Sequence, residues 1–211
     1  MKTTKKFLAI ILAILMVVTI IPLTASAAAT SGTCGENLTW NFDTSTGTLT
    51  ISGSGDMRNY SHGWSSPWDS YDESVRKLVI DEGVTSIGDW AFYYFINVTE
   101  VDIPDGVTRI GDHSFGAWNK LENVTIPDSV KEIDTYAFWS DDNLGSVTLP
   151  NGAITIGAHA FDGCNKLTEV FIPESVEQIG QAVFSSCDSL TKITVDEKNP
   201  YYLNDEYGVL F

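Results

Sequence analysis

Val101-Asp-Ile-Pro-Asp-Gly-Val-Thr-Arg-Ile-Gly-Asp-His-Ser-Phe115 is the plainest statement of a pattern that returns every 23 residues in this 211-residue chain. Five blocks covering residues 78–192 align without a gap, and a partial sixth covers 193–211. A fixed period of this length predicts stacked supersecondary units in place of one globular core. Read as columns, the blocks show what each position is for. Leu78, Val101, Val124, Val147, Val170 and Ile193 are followed two residues on by Ile80, Ile103, Ile126, Leu149, Ile172 and Val195. Such an apolar, mostly β-branched i, i+2 pair predicts a short strand with one face buried. Val84, Val107, Val130, Ala153 and Val176 come next, then the unbroken columns Ile87, Ile110, Ile133, Ile156, Ile179 and Phe92, Phe115, Phe138, Phe161, Phe184. Val98, Leu121, Leu144, Leu167 and Leu190 close each coil.

No block of this kind folds alone. Six buried apolar side chains at roughly 1.5–3 kcal/mol each do not offset about 1–2 kcal/mol of backbone entropy for every ordered residue. Stacking completes the burial by turning each column into a ladder. The polar positions agree. Pro104, Pro127, Pro150 and Pro173 end the strands, because proline has no N–H to continue a hydrogen-bond ladder. Gly83, Gly106, Ser129, Gly152 and Ser175 follow at a turn, and Gly88, Gly111, Gly157 and Gly180 mark a second one, with Asp134 as the exception. The expected fold is mostly β: a solenoid of 23-residue coils with a parallel strand sheet on one face, short strands or helical turns opposite, and an N-terminal β-hairpin cap.

The pattern is carried most fully by Val170-Phe-Ile-Pro-Glu-Ser-Val-Glu-Gln-Ile-Gly180 with Phe184, Cys187 and Leu190. It resembles the BspA-type, or Treponema-type, leucine-rich repeat family. Cys34-Gly-Glu-Asn-Leu-Thr-Trp40 with Gly47-Thr-Leu-Thr-Ile-Ser-Gly-Ser-Gly-Asp-Met57 resembles the module that precedes such arrays. The resemblance implies a leucine-rich-repeat solenoid in a secreted or surface-attached bacterial protein, several relatives of which adhere to host matrix proteins. It carries over no catalytic residue and no cofactor.

The amino terminus fits export. Lys2, Lys5 and Lys6 precede the apolar run Phe7 to Ile21, then Pro22 and the small-residue site Ala25-Ser26-Ala27. This predicts a signal peptide over 1–27; the run is shorter than the ~20 residues that span a bilayer. The expected division is a signal peptide at 1–27, a cap module at 28–77 and the repeat array at 78–211. The cap holds strands near Leu38–Phe42 and Thr48–Ser52 and a short helix opened by Ser66-Pro67-Trp68. The last block loses the pattern at Asp196-Glu-Lys-Asn-Pro-Tyr-Tyr202 and ends at Gly208-Val-Leu-Phe211, so the array is expected to be a fragment of a longer one. The chain carries 12 Lys and Arg against 28 Asp and Glu, a net charge of −16, and losing three lysines with the signal makes the balance more acidic. Such a surface repels nucleic acid and anionic lipid.

Several features invite a chemical reading. His113 and His159 share a column, but Tyr136 lies between them, and His62 has no Cys or His spaced for zinc, so no metal site is expected. The acidic column Glu82, Asp105, Asp128, Asn151, Glu174, Glu197 suits turns better than calcium. Cys164 and Cys187, one period apart with parallel side chains, read as buried thiols rather than a disulfide. Asp141 interrupts the otherwise apolar column Phe95, Trp118, Cys164, Cys187, and a local outward bulge is expected there. No Gly-x-Ser-x-Gly, phosphate-binding loop or His-Glu-x-x-His is present. The chain therefore reads as non-enzymatic.

If the function is binding, the outward strand positions are its natural surface: Lys77 and Val79, Glu100 and Asp102, Asn123 and Thr125, Ser146 and Thr148, Glu169 and Phe171, Lys192 and Thr194. Repeat proteins present such sheets to extended partners. The leading expectation is a protein partner, a host or matrix component by the family resemblance. The alternatives are a glycan stacked on Trp64, Trp68, Trp90, Tyr93, Trp118 and Trp139, or a passive spacer fused to an enzyme.

Overall fold

The structure is a computed structural model that describes residues 28–62 and 65–204. The expected signal peptide, Trp64 and the segment Gly208–Phe211 lie outside the described residues. The chain opens with β1 (Ser31–Thr33), β2 (Leu38–Asp43) and β3 (Thr48–Gly53), an antiparallel meander that forms the hairpin cap. Its tight turn is set by Asp43, whose Oδ1 accepts the Ser45 N–H at 2.8 Å, and by Gly47 at φ 71°. These hydrogen bonds, the Ser45 hydroxyl's first, hold the Asp43 carboxyl below its usual range.

After this meander every strand-to-strand pairing is parallel. β4 (Gly55–Asp56), β5 (Lys77–Ile80), β6 (Val84–Ile87) and β7 (Arg109–Ile110) are followed by β8 (Asn123–Thr125), β9 (Glu132–Ile133) and β10 (Ser146–Thr148). β11 (Thr155–Ile156), β12 (Glu169–Ile172), β13 (Gln178–Ile179) and β14 (Lys192–Val195) complete the series. Ile87, Ile110, Ile133, Ile156 and Ile179 sit opposite one another in strict succession along β6, β7, β9, β11 and β13. With β4 these make a parallel sheet of six strands, the short-strand wall. The Phe column stacks in series, Phe115 on Phe138 at 5.3 Å and Phe138 on Phe161 at 5.2 Å between ring centroids. One continuous core of buried side chains runs from Cys34 to Val195.

Three details depart from the sequence reading. First, the long-strand wall is not one ladder. It comprises β1-β2-β3-β5, then β8-β10, then β12-β14, with a single bridge from Asp102 to Thr125. Pro127, Pro150 and Pro173, just past β8, β10 and β12, withhold a donor and keep those strands short. Second, the helix expected at Ser66-Pro67-Trp68 is one 3-10 turn, Asp69–Tyr71. Trp68 stands at its N-cap without a capping side chain, and Ser66 bonds the Asp69 carboxylate instead. Third, stacking begins inside the cap. Leu49 and Ile51 of β3 pair in register with Leu78 and Ile80, and Trp68 stacks on Phe92 at 5.6 Å as the first rung of the aromatic column.

The glycines also have a different reason from the one expected. Gly88, Gly111, Gly157 and Gly180 are absent from the left-handed residues. A Cβ on Gly157 would lie 2.4 Å from the Thr135 nitrogen, and one on Gly88 only 2.0 Å from the Arg58 carbonyl oxygen. These positions are glycine because the backbone of the coil before passes too close for a side chain. Within the repeat array the left-handed positions fall instead in two 23-residue columns of mostly other residues: Trp90, His113, Tyr136, His159, Ala182, and Tyr94, Ala117, Ser140, Gly163, Ser186. Each non-glycine there costs on the order of 1–2 kcal/mol of backbone strain. Packing of the coil around it must supply that.

Candidate functional site

The outward strand face is built by alternation. In β12 Glu169 and Phe171 are exposed while Val170 and Ile172 are buried, and β8 and β10 repeat the rule with Val124 and Val147 inside. Ten of the twelve predicted positions are exposed; Val79 and Thr194 are half-buried. The structure brings them together in groups. Ser146 pairs with Asn123 and Thr148 with Thr125, Glu169 with Lys192 and Phe171 with Thr194. The Ser146 hydroxyl also donates to Asn123 Oδ1 at 2.6 Å. Lys77 and Val79 pair with Thr48 and Thr50 of β3, so the face continues onto the hairpin, an extension that the 23-residue columns do not include.

Four large apolar residues are exposed among those described: Ile154, Phe171, Tyr201 and Leu203. Phe171, 47% exposed, is the one on the outward strand face. It is ringed by Glu169, Lys192 and the half-buried Thr194.

The aromatic residues form a second surface, on the turns that follow the Ile column. Trp90 stacks on His113 at 3.9 Å, His113 meets Tyr136 tilted at 4.6 Å, and Tyr136 stacks on His159 at 4.7 Å. Tyr93 and Trp139 lean edge-on against this ladder. Rings stacked along the solenoid cover one another's faces and turn edges outward. Trp68 and Trp118 do not join them. Both are fully buried, with indole N–H groups donated to the Ala91 and Phe92 carbonyls at 2.6 and 2.7 Å. As sugar platforms they are excluded, because a ring in the core cannot meet a ligand.

Several charged groups tie neighbouring coils and turns together. Arg109 bridges Asp89 at 2.6 Å, Asp134 at closer range and Glu132 at 3.9 Å, tying three successive coils. Burial pushes the Asp134 carboxyl up to about 6, and Arg109 pulls against that shift. His113 and His159 each turn Nδ1 to a carboxylate, Asp112 and Asp162, at 2.6 and 2.9 Å. In the acidic column, Asp128 accepts the Asn151 N–H at 2.8 Å, as a turn residue does.

The cysteines are free thiols. Burial pushes the Cys34 and Cys187 thiols up to about 11 and Cys164 well above its ordinary value. Unreactive thiols are the consequence. Native protein treated with an alkylating reagent should leave Cys34 and Cys164 unlabelled and take up label at all three sites once unfolded. Fast native labelling of Cys164, read by mass spectrometry, would contradict this packing.

The pattern of the BspA type leucine rich repeat region matches residues 70–191 in six copies, more than half of the chain. The chain belongs to the BspA-type leucine-rich repeat family. Solved structures of bacterial leucine-rich repeat proteins share the fold. A leucine-rich repeat protein from Eubacterium ventriosum is similar at 28% identity over 87% of this chain, with a TM-score of 0.73. This chain spans about half of that protein, 48% of its length. A leucine rich cell surface protein from Faecalibacterium prausnitzii is similar at 25% identity over 88% of this chain and 59% of its own, with a TM-score of 0.55. The Treponema pallidum leucine rich repeat protein, at 24% identity over 76% of this chain and 70% of its own, shares the fold with a TM-score of 0.56. Among curated proteins nothing matches. No described helix is long and apolar enough to cross a membrane.

Proposed function

We propose that this chain is a non-enzymatic, secreted or cell-surface binding module whose outward strand face docks a protein partner, an adhesion surface for a host or extracellular-matrix component. The observation that supports it most is Phe171, an exposed aromatic on an otherwise polar strand face. Interfaces concentrate their binding energy in such residues, surrounded by polar groups that exclude water. Glu169, Lys192 and the half-buried Thr194 supply the surround, and Lys77, the half-buried Val79, Glu100, Asp102, Asn123, Thr125, Ser146 and Thr148 extend the proposed face along the earlier coils. The division into a cleaved signal at 1–27, a cap at 28–77 and an array at 78–211 belongs to this reading, as does export through residues 1–27. The likeness to a cell surface protein of F. prausnitzii supports the location.

The glycan reading draws on Trp90, Tyr93 and Trp139, which share one wall. Trp90 is itself a rung of the ladder, which offers ring edges, whereas a sugar stacks on a ring face, so the strand face is preferred. Immobilised matrix proteins and a glycan array would separate the two. Phe171→Ala should weaken the protein partner's affinity tenfold or more, a loss of about 1.4 kcal/mol or greater. It should leave the melting temperature unchanged, since the side chain is outside the core. Unaltered binding by that variant, or binding abolished by Trp139→Ala alone, would move the site off the strand face.

A further inference from the structure

Asp141 does not bulge outward. It is fully buried, in the column Phe95, Trp118, Asp141, Cys164, Cys187. Its column neighbours share one hydrogen bond. Trp118 Nε1–H donates to the Phe92 carbonyl at 2.7 Å, the Cys164 thiol to the Phe138 carbonyl at 3.4 Å and the Cys187 thiol to the Phe161 carbonyl at 3.2 Å. Each acceptor is the Phe-column carbonyl 26 residues earlier. The carbonyl in the same relation to Asp141 is that of Phe115. Meanwhile Asp141 Oδ1 accepts the Trp118 backbone N–H at 2.8 Å, while Oδ2 is buried with no donor aimed at it.

An ionised carboxylate is untenable in that place. The groups that face Asp141 are Asp142 on its own turn, the Cys164 thiol of the next coil and the Trp118 amide of the coil before. None is a cation. A buried anion with one hydrogen bond and an acidic neighbour takes up a proton. Burial accordingly drives the Asp141 carboxyl well above the usual carboxylate range.

We propose that Asp141 is a neutral carboxylic acid that clasps two coils, its Oδ1 accepting the Trp118 N–H and its Oδ2–H donating to the Phe115 carbonyl. The proton makes it the equivalent of the indole and thiol donors in its column. It also makes the array pH-sensitive at this coil. A group bound to its proton more tightly in the folded chain than in the unfolded one stabilises fully below the unfolded value, here 3.8, and loses that contribution as pH rises. The coil is therefore firmest in acid and loosens toward alkaline pH, the reverse of a carboxylate held in an ion pair.

Asp141→Asn keeps both hydrogen bonds and has no proton to lose; Asp141→Leu removes both. Thermal unfolding of the full chain and the two variants between about pH 4 and about pH 9 reads the difference. The midpoints of the native chain and D141N should coincide in acid, and D141N should rise above the native chain by a few degrees or more as pH increases. D141L should lie below both in acid. Asp134 shifts the native chain and D141N alike, so their gap isolates Asp141. The carboxyl carbon resonance missing from D141N should report a protonated acid at about pH 7. A resonance that titrates as an ordinary surface aspartate, or a gap independent of pH, would overturn the proposal.

Discussion

Phe138→Ala is expected to cost about 3–5 kcal/mol of stability, the range for emptying a large buried aromatic site. Phe138 is fully buried and lies nearly parallel to Phe161, 2° between planes, and to Phe115, 12°. Removing it deletes two stacked pairs, worth about 0.5–1.5 kcal/mol each beyond area burial, and leaves a void between coils that cannot collapse without breaking register. Because coils contact only their neighbours, the damage falls on the interface between the two halves of the array. Urea unfolding should show an early midpoint and a transition that broadens or splits, as the halves cease to melt together. Phe184→Ala serves as the internal control: it is half-buried and stacks on Phe161 at 5.8 Å, so its loss should cost less than half as much.

Arg109→Ala is the second large effect. Arg109 is the cation shared by Asp89, Glu132 and Asp134, with side chains 20–50% exposed. Breaking a fully buried pair costs about 3–5 kcal/mol; partial exposure screens these charges, so about 1–3 kcal/mol is expected. The loss should depend on pH. Asp134, already pushed to about 6 by burial, would rise further once Arg109 no longer holds it down. A raised carboxyl stabilises below its unfolded value and loses that contribution as pH climbs through its folded value. The variant's deficit should therefore be greatest at neutral pH and shrink toward about pH 4, where Asp134 is protonated. Arg109→Lys should recover only part of it, because an ammonium lacks the fork that reaches three carboxylates at once. Melting curves of the three proteins across that range check the ranking.

The sequence was most legible where a side chain's role repeats. The Ile and Phe columns, the strand pairs and their outward neighbours are set by a period that needs no tertiary knowledge, and the coordinates place them in succession. Stacking inside the cap was hidden because Leu49 precedes Leu78 by more than one period, so the 23-residue columns do not reach it. The left-handed columns were hidden because Trp90, His113 and Tyr136 carry no local signal for positive φ; the turn imposes it. Asp141 was not legible because a carboxyl in an apolar column predicts an outward bulge, whereas the coil keeps its register and buries the group. Of the candidate face, exposure was legible from alternation, but the breaks in its ladder depend on coil-to-coil offsets that no single block contains.

The central claim is that successive coils lie in register, each Ile rung touching the next. Methyl-to-methyl NOEs in isoleucine-labelled protein test it most directly. The expected pattern is a chain of cross-peaks from Ile87 to Ile110, Ile133, Ile156 and Ile179, each rung seeing only those beside it. Absence of the Ile110–Ile133 and Ile133–Ile156 contacts in folded protein would contradict the account.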